Sequence, residues 1–285
     1  MDIFVPNCYD LLRVIESAAW SSWTPNLQRL RLGTEMAETL GFPQETAIVT
    51  GGSRGLGRGI VEALAMRQVK VVAVARGRAS LEAEAKEMRV EHLAADVADE
   101  LTAGRLLQDF RPDLLVLCAG ASALLRPLHL HSWETFSQNW DVDAKATFVW
   151  LRNALLLPMK PGSHIVIVSS MAAVNGSPLS GSYAGAKRMQ WFMADYASQE
   201  ASRLKLGLRV HCLLPVLNPN TDLGRAAIAA YAERANVSVE QFIQRLMPAL
   251  TPTIIGDAVA DLHLNPGKWD QLAYRIGGGG LVPLG

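Results

Sequence analysis

Tyr183 and Lys187 stand four residues apart in Tyr183-Ala184-Gly185-Ala186-Lys187. On a helix that spacing puts both side chains on one face. An ammonium beside a phenol favours the phenolate and draws the phenolic pKa down from about 10. A tyrosine so placed is a usable general acid or base. Ser169 and Ser170 lie upstream, Ser170 by 13 residues. A serine at a strand end can hydrogen-bond a reacting oxygen. The Tyr-Lys spacing alone also suits a surface helix with an aromatic and a lysine on it.

A second stretch is Thr50-Gly51-Gly52-Ser53-Arg54-Gly55-Leu56-Gly57. It follows an apolar run and opens a helical pattern, the context in which a Gly-rich turn holds a dinucleotide pyrophosphate. Glycine lets the backbone turn tightly and approach the phosphates. The spacing is TGxxxGxG rather than GxGxxG, and a plain turn needs glycine too.

These residues require a scaffold, and the pattern from Thr46 onward supplies one. Strands are expected at 47–50, 69–75, 91–95, 113–118, 164–169 and 208–214. Helices are expected at 59–67, 80–88, 133–157 and 184–204. Apolar strands alternating with helices predict a parallel sheet covered on both faces, wound twice: an α/β Rossmann-type domain over 46–285. Residues 1–45 read differently. Tyr9–Ser22 repeats apolar residues at helical spacing, and a second helix runs to about Leu40 before Gly41 and Pro43. This is an N-terminal helical extension, expected to pack on the body or on a neighbouring subunit.

Composition narrows the function classes. The 285 residues are 49% hydrophobic and 19% charged, enough for a large core. Lys plus Arg and Asp plus Glu are both 27, which speaks against a basic nucleic-acid binder or a polybasic membrane protein. Cys8, Cys118 and Cys212 form no CxxC pair, so neither a disulfide framework nor a metal is expected. No apolar run approaches the ~20 residues of a membrane span. The first residues lack the pattern of a secretory signal, so a cytoplasmic location is expected. His129 and His131 have no acid or cysteine at ligand spacing. Trp133, Trp140 and Trp150 read as packing residues.

Taken together, TGxxxGxG, the strand-end serine and YxxxK, in that order, resemble the short-chain dehydrogenase/reductase family over about residues 46–283. The resemblance implies roles. Tyr183 exchanges the proton, Lys187 holds the nicotinamide ribose and tunes Tyr183, and Ser170 polarises the substrate carbonyl. Thr50, Gly51, Ser53, Arg54, Gly55, Leu56 and Gly57 surround the pyrophosphate. Asp96 and Val97 meet the adenine, Ala119 and Gly120 close the NNAG-like turn, and Pro215 and Thr221 flank the nicotinamide. The closing AYRIGGGGLVPL resembles the family's last strand.

The departures are local. NNAG reads Leu117-Cys118-Ala119-Gly120, the Asn after the last long helix is His211, and Val216 follows Pro215. Asp143 stands where the family has the fourth catalytic residue, an Asn whose main-chain carbonyl holds a water in the proton path. An ionised Asp143 beside Lys187 would partly offset the lysine's field at Tyr183.

These features predict an NADPH-dependent reductase of a ketone. Val74-Ala75-Arg76 ends the second strand without the acid that NAD-selective folds use, and Arg54 and Arg76 can pair with a 2′-phosphate. The expected substrate is a small-molecule ketone, first an acyl or polyketide chain, free or carrier-bound, then a bulky alicyclic ketone. The alternative is an NADP(H)-binding regulatory or scaffold protein with little turnover. Residues 216–250 are expected to form a substrate lid before a βα-like unit at 254–264. Family members pair through the two long helices, so a homodimer or homotetramer is expected.

Overall fold

The structure is a computed structural model that describes residues 45–76, 90–157 and 159–284. The helices expected within 1–45 and at 80–88, and Cys8, lie outside the described residues.

Six strands follow the apolar runs: β1 (Thr46–Thr50), β2 (Lys70–Ala75), β3 (Val90–Ala94), β4 (Leu114–Leu117), β5 (His164–Val168) and β6 (Arg209–Pro215). β7 (Ala273–Gly277) extends the sheet, and β8 (Gly280–Pro283) closes it. The order is β3-β2-β1-β4-β5-β6-β7-β8. All neighbours are parallel except β7 with β8. The chain leaves β1 toward β2 and later returns to β4 on the other side. That places the switch point at the carboxyl ends of β1 and β4, where open α/β sheets bind ligands.

Helices cover both faces. On one, α1 (Gly55–Met66) packs Ile60 and Leu64 against the sheet. On the other, α2 (Glu100–Phe110) supplies Ala103 and Leu107. Next come α3 (Trp133–Asn139), a π-helical turn at Trp140–Ala144, and α4 (Lys145–Leu156). After β5 follow α5 (Ala172–Asn175) and the 23-residue α6 (Gly181–Arg203). Trp150 of α4 is fully buried, and its indole N–H donates to the Val97 carbonyl at 3.0 Å. Past β6 come α7 (Asp222–Arg234), α8 (Val239–Gln244) and α9 (Pro252–Leu264).

Three expectations change. The stretch 133–157 is not one helix. Its middle widens at the π turn, where the Lys145 N–H reaches back five residues to the Trp140 carbonyl. A single widened turn leaves apolar periodicity on either side intact, so the pattern hides it. Residues 254–264 are no βα-like unit but lie within α9, started by the Thr251 cap and Pro252. The run is apolar because α9 buries Ile255, Val259 and Leu262 beside α1, and a short buried run cannot be told from a strand by period. Helix α2 fills a stretch for which no element is expected. Asp99 caps it by accepting from the Thr102 N–H at 2.9 Å.

Candidate active site

The Gly-rich turn joins β1 to α1. Gly51 has φ +72°, and a Cβ there would lie 2.7 Å from the Ala119 Cα. A Cβ on Gly57 would lie 2.2 Å from the Gly51 carbonyl oxygen. Only glycine lets the turn fold back on α1 and press against the end of β4. Arg54, in the N-cap position of α1, makes no side-chain cap, and the first turn carries no acid. By contrast Asp99, Ser132, Thr221, Ser238 and Thr251 each cap their helix. Among the described residues no side chain caps the first N–H groups of α1, which suits them to meet an anion, favoured there by the helix dipole.

A cavity of about 550 Å³ opens at this point. Its walls include Gly51, Ser53, Arg54, Gly55, Leu56 and Gly57 from the turn, and Arg76 and Val97 beyond β2 and β3. Ala119 and Gly120, Tyr183 and Lys187, and Thr221 of the expected residues line it as well. The size and the uncapped helix fit an extended, pyrophosphate-bearing nucleotide. Residues outside the expected cofactor contacts also line it: Ala121 and Ser122, Val142, Ser169, Asn220 and Leu223. Most are apolar or small residues in irregular segments, which carry no periodic signal.

Three expected contacts lie elsewhere. The Thr50 hydroxyl is used inside the sheet, donating to the Val116 carbonyl at 3.3 Å and accepting from the Cys118 N–H at 3.1 Å. Asp96 accepts from the Ala98 N–H at 2.9 Å and shapes the turn beside Val97. Pro215 accepts from the Met171 N–H at 2.9 Å and anchors the segment after β5. These three brace the walls and do not line them. Ser170 is also off the cavity wall. It is half-buried, and its hydroxyl accepts from the Ala172 N–H at 3.2 Å. Its neighbour Ser169 is buried and donates to the Lys187 carbonyl at 2.7 Å, fixing α6 against the end of β5.

Tyr183 and Lys187 share one face of α6, with the Lys187 Nζ 5.5 Å from the Tyr183 ring centroid. That Nζ donates to the Val168 carbonyl at 3.3 Å and lies 3.4 Å from the Asp143 Oδ2. Asp143 is fully buried, and Lys187 is 5% exposed. The other Asp143 oxygen, Oδ1, accepts from the Ala121 N–H at 2.7 Å. Burial pushes the Asp143 carboxyl up, against the pull of Lys187 and the Ala121 N–H. Burial pushes the Lys187 ammonium down, but attraction to Asp143, Tyr183 and Cys118 outweighs it and leaves the group above its ordinary value. Lys187 is therefore favoured as a cation, with the buried Asp143 carboxyl 3.4 Å away. Burial raises the Cys118 thiol to about 11, so it stays protonated.

The short chain dehydrogenase family model matches residues 45–231. The chain belongs to the short-chain dehydrogenase/reductase family. Its members are oxidoreductases that bind a nicotinamide cofactor. A short chain dehydrogenase/reductase from Aspergillus aculeatus, AacuD, is 32% identical over 169 residues, 54% of this chain and 59% of that protein. The chain thus matches less than two thirds of AacuD. A 2,5-dichloro-2,5-cyclohexadiene-1,4-diol dehydrogenase from Sphingobium indicum is 30% identical over 185 residues, 60% of this chain and 71% of that one. Among solved structures, an actinorhodin polyketide ketoreductase with NADPH superposes with a TM-score of 0.72 at 20% identity. It covers 83% of this chain and 97% of its own, and shows the shared fold. Among the described residues no cluster of ligands could hold a metal, and no helix is long and apolar enough to cross a membrane.

Proposed function

We propose that this chain reduces a ketone to an alcohol with NADPH, Tyr183 giving the proton. The observation that carries this reading is one cavity that joins an uncapped helix N-terminus to a Tyr-Lys pair on a buried helix face. The turn 51–57 would hold the pyrophosphate, Lys187 the nicotinamide ribose, and Val97 the adenine. Bound there, NADPH supplies a hydride. Tyr183 gives its phenolic proton to the carbonyl oxygen, and Ser170, which lies just off the cavity wall and accepts from the Ala172 N–H, would turn its own hydroxyl proton to that carbonyl. Arg54 and Arg76 line the cavity and favour a 2′-phosphate, although the Arg54 Nη1 also lies 3.8 Å from the Asp222 Oδ2 at an exposed pair. The resemblance to a polyketide ketoreductase fold supports an acyl or polyketide ketone, free or carrier-bound. The cyclohexadiene-diol relative supports an alicyclic ring as the next candidate.

NADPH consumption with a panel of both ketone types tests the reading. kcat/KM with NADPH should exceed that with NADH, and Tyr183→Phe should lower kcat by roughly 10²–10⁴ while NADPH still binds. Equal use of both cofactors removes the NADPH assignment, and near-normal turnover of the Phe variant removes the site. NADPH binding with no turnover on any ketone would favour the scaffold reading, for which the Asp143 departure speaks.

The segment 216–250 is proposed as the substrate lid. Its α7 half buries Ile228 and Ala232, and the Tyr231 hydroxyl bonds Ser177 and accepts from the Leu179 N–H at 3.2 Å. Helix α8 buries none of its residues, so α8 is the part free to move. Hydrogen exchange in 239–247 that ignores cofactor plus ketone would make it a fixed cover. A homodimer is proposed through α4 and α6, which leave Phe148, Leu156, Phe192 and Tyr196 exposed. Sedimentation at the mass of one chain would rule it out.

A further inference from the structure

Two elements that wall the cavity are tied to each other away from it. Tyr183 on α6 and Leu223 on α7 line the cavity. Tyr231, further along α7, and the segment 177–180 that leads into α6 do not. The Tyr231 hydroxyl bonds the Ser177 hydroxyl and accepts from the Leu179 N–H at 3.2 Å. Leu223, Ala227 and Tyr231 follow one another at i, i+4 spacing along α7. The rise of a helix puts Tyr231 about 12 Å beyond Leu223. The row is large at both ends and small at Ala227.

The segment 177–180 is itself held. The Ser177 and Ser180 hydroxyls lie 2.5 Å apart, and the Leu179 carbonyl accepts from the Arg126 N–H at 2.8 Å. Just beyond, the Ser182 hydroxyl donates to the Phe136 carbonyl of α3. Leu179 and Ser180 are buried. Helix α7 is therefore tied to a segment fixed on α3 and on the loop after β4. A phenylalanine at 231 would keep the ring and offer the Leu179 N–H no acceptor, so the hydroxyl makes the tie.

We propose that Tyr231 is a specificity-determining residue: its tie to Ser177 and Leu179 closes the far end of the substrate space, so that the ketone substituent running along α7 must be compact, a ring or a short tail. This rests on the reading of Tyr183 as the group that meets the ketone. One substituent of a carbonyl held at Tyr183 can leave past Ser122, which lines the cavity and is exposed, and that side has room for a long chain or a carrier. The other lies against the Leu223–Tyr231 row. To pass Tyr231 a long tail must break both hydrogen bonds and lift α7 from a buried segment. Ile228 and Ala232, buried on the same helix, resist that movement.

The test uses the full chain with NADP+ present and two esters that differ in tail length alone, ethyl acetoacetate and ethyl 3-oxodecanoate. Calorimetry gives a Kd for each, and hydrogen exchange reports the Leu179 amide. The parent should bind the long-tailed ester at least roughly tenfold more weakly, the cost of overfilling a packed site. Tyr231→Phe should speed exchange at Leu179 several-fold and bring the two Kd values close together. Ser177→Ala removes one of the two bonds and should fall between parent and Phe variant. A parent that holds both tails equally well overturns the proposal, as does a Kd ratio unmoved in Tyr231→Phe. Unchanged exchange at Leu179 in that variant overturns the tie. Should Tyr231→Phe fail to fold, Ser177→Ala carries the test, and an unmoved ratio there overturns the proposal. Binding of neither ester overturns the ketone reading and the selectivity with it, and the exchange result still decides whether the tie exists. NADP+ carries no hydride to give, so the outcome is separate from whether the chain turns a ketone over.

Discussion

The two ends of β5 bury polar side chains by opposite means. At the carboxyl end the Val168 carbonyl meets Lys187, and the lysine faces a carboxylate that is itself fully buried. At the amino end lies a histidine cluster. His164 is fully buried, with its Nε2 2.6 Å from the His211 Nδ1 on β6, and its ring stacks at 5.9 Å on His263 of α9. His263 Nε2 lies 3.3 Å from the half-exposed Glu45 carboxylate. Burial pushes all three histidines down, His164 furthest, helped by His211 and Arg209. One end has an opposite charge to offset desolvation and keeps its cation. The other has mostly imidazole against imidazole and gives its charges up. A fold needs charge where a proton must be tuned, and neutral rings serve where strands only need filling.

The largest effect should come from breaking the charged end. Asp143→Leu leaves the Lys187 ammonium buried without its counterion, which costs about 3–5 kcal/mol. Adding Lys187→Met removes the stranded charge and should restore most of that loss. Urea unfolding of the parent, both single variants and the double gives the coupling directly. Additive losses would mean that the two side chains do not act as a pair, and the contrast between the ends of β5 would collapse.

A smaller, pH-dependent effect is expected at the histidine end. The folded pKa of His164 lies below its ordinary value of about 6.5, so the unfolded chain binds the extra proton first. The stability from the neutral ring is complete above about 6.5 and declines as pH falls below it, at up to about 1.4 kcal/mol per pH unit for one fully coupled histidine. His164→Leu should flatten that acid slope by up to this amount while lowering stability little at pH 8. Urea midpoints from pH 8 to 5 measure it. An unchanged slope would mean that His164 is not the group that yields its charge.

The same contrast marks what the sequence makes legible. The strands of the sheet and the Gly-rich turn follow from apolar runs and glycine spacing, because each has a local cause. YxxxK puts Tyr183 and Lys187 on one helix face for the same reason. Asp143 is visible as a departure from a family pattern, but its contact with Lys187 depends on a π turn that periodicity passes over. Gln190 reads as an ordinary polar residue on α6, since only the packing of α4 on α6 brings it to the residue 143 carbonyl. The histidine cluster joins residues 164, 211 and 263, which no short motif links. Thr50, Asp96 and Pro215 match a pattern of contacts yet spend their polar groups within the walls. A motif fixes where a residue stands along the chain and leaves open which neighbour claims its hydrogen bonds.

The smallest effect sharpens the comparison at the charged end. Lys187 is held from two sides, its ammonium by Asp143 and its carbonyl by the Ser169 hydroxyl at 2.7 Å. Ser169→Ala removes one buried hydrogen bond without stranding a charge, since the carbonyl also belongs to a helix. Its cost should be about 1 kcal/mol, several-fold below that of Asp143→Leu. The ammonium keeps both its partners, so NADPH binding should stay where it is in the parent. Urea unfolding and NADPH binding check the two halves together. A loss as large as that of Asp143→Leu would show that the backbone anchor, and not the counterion, holds Lys187. Weakened NADPH binding at small cost in stability would show instead that the ammonium follows the helix, and that the placement of α6 on β5 sets the site as strongly as the carboxylate does.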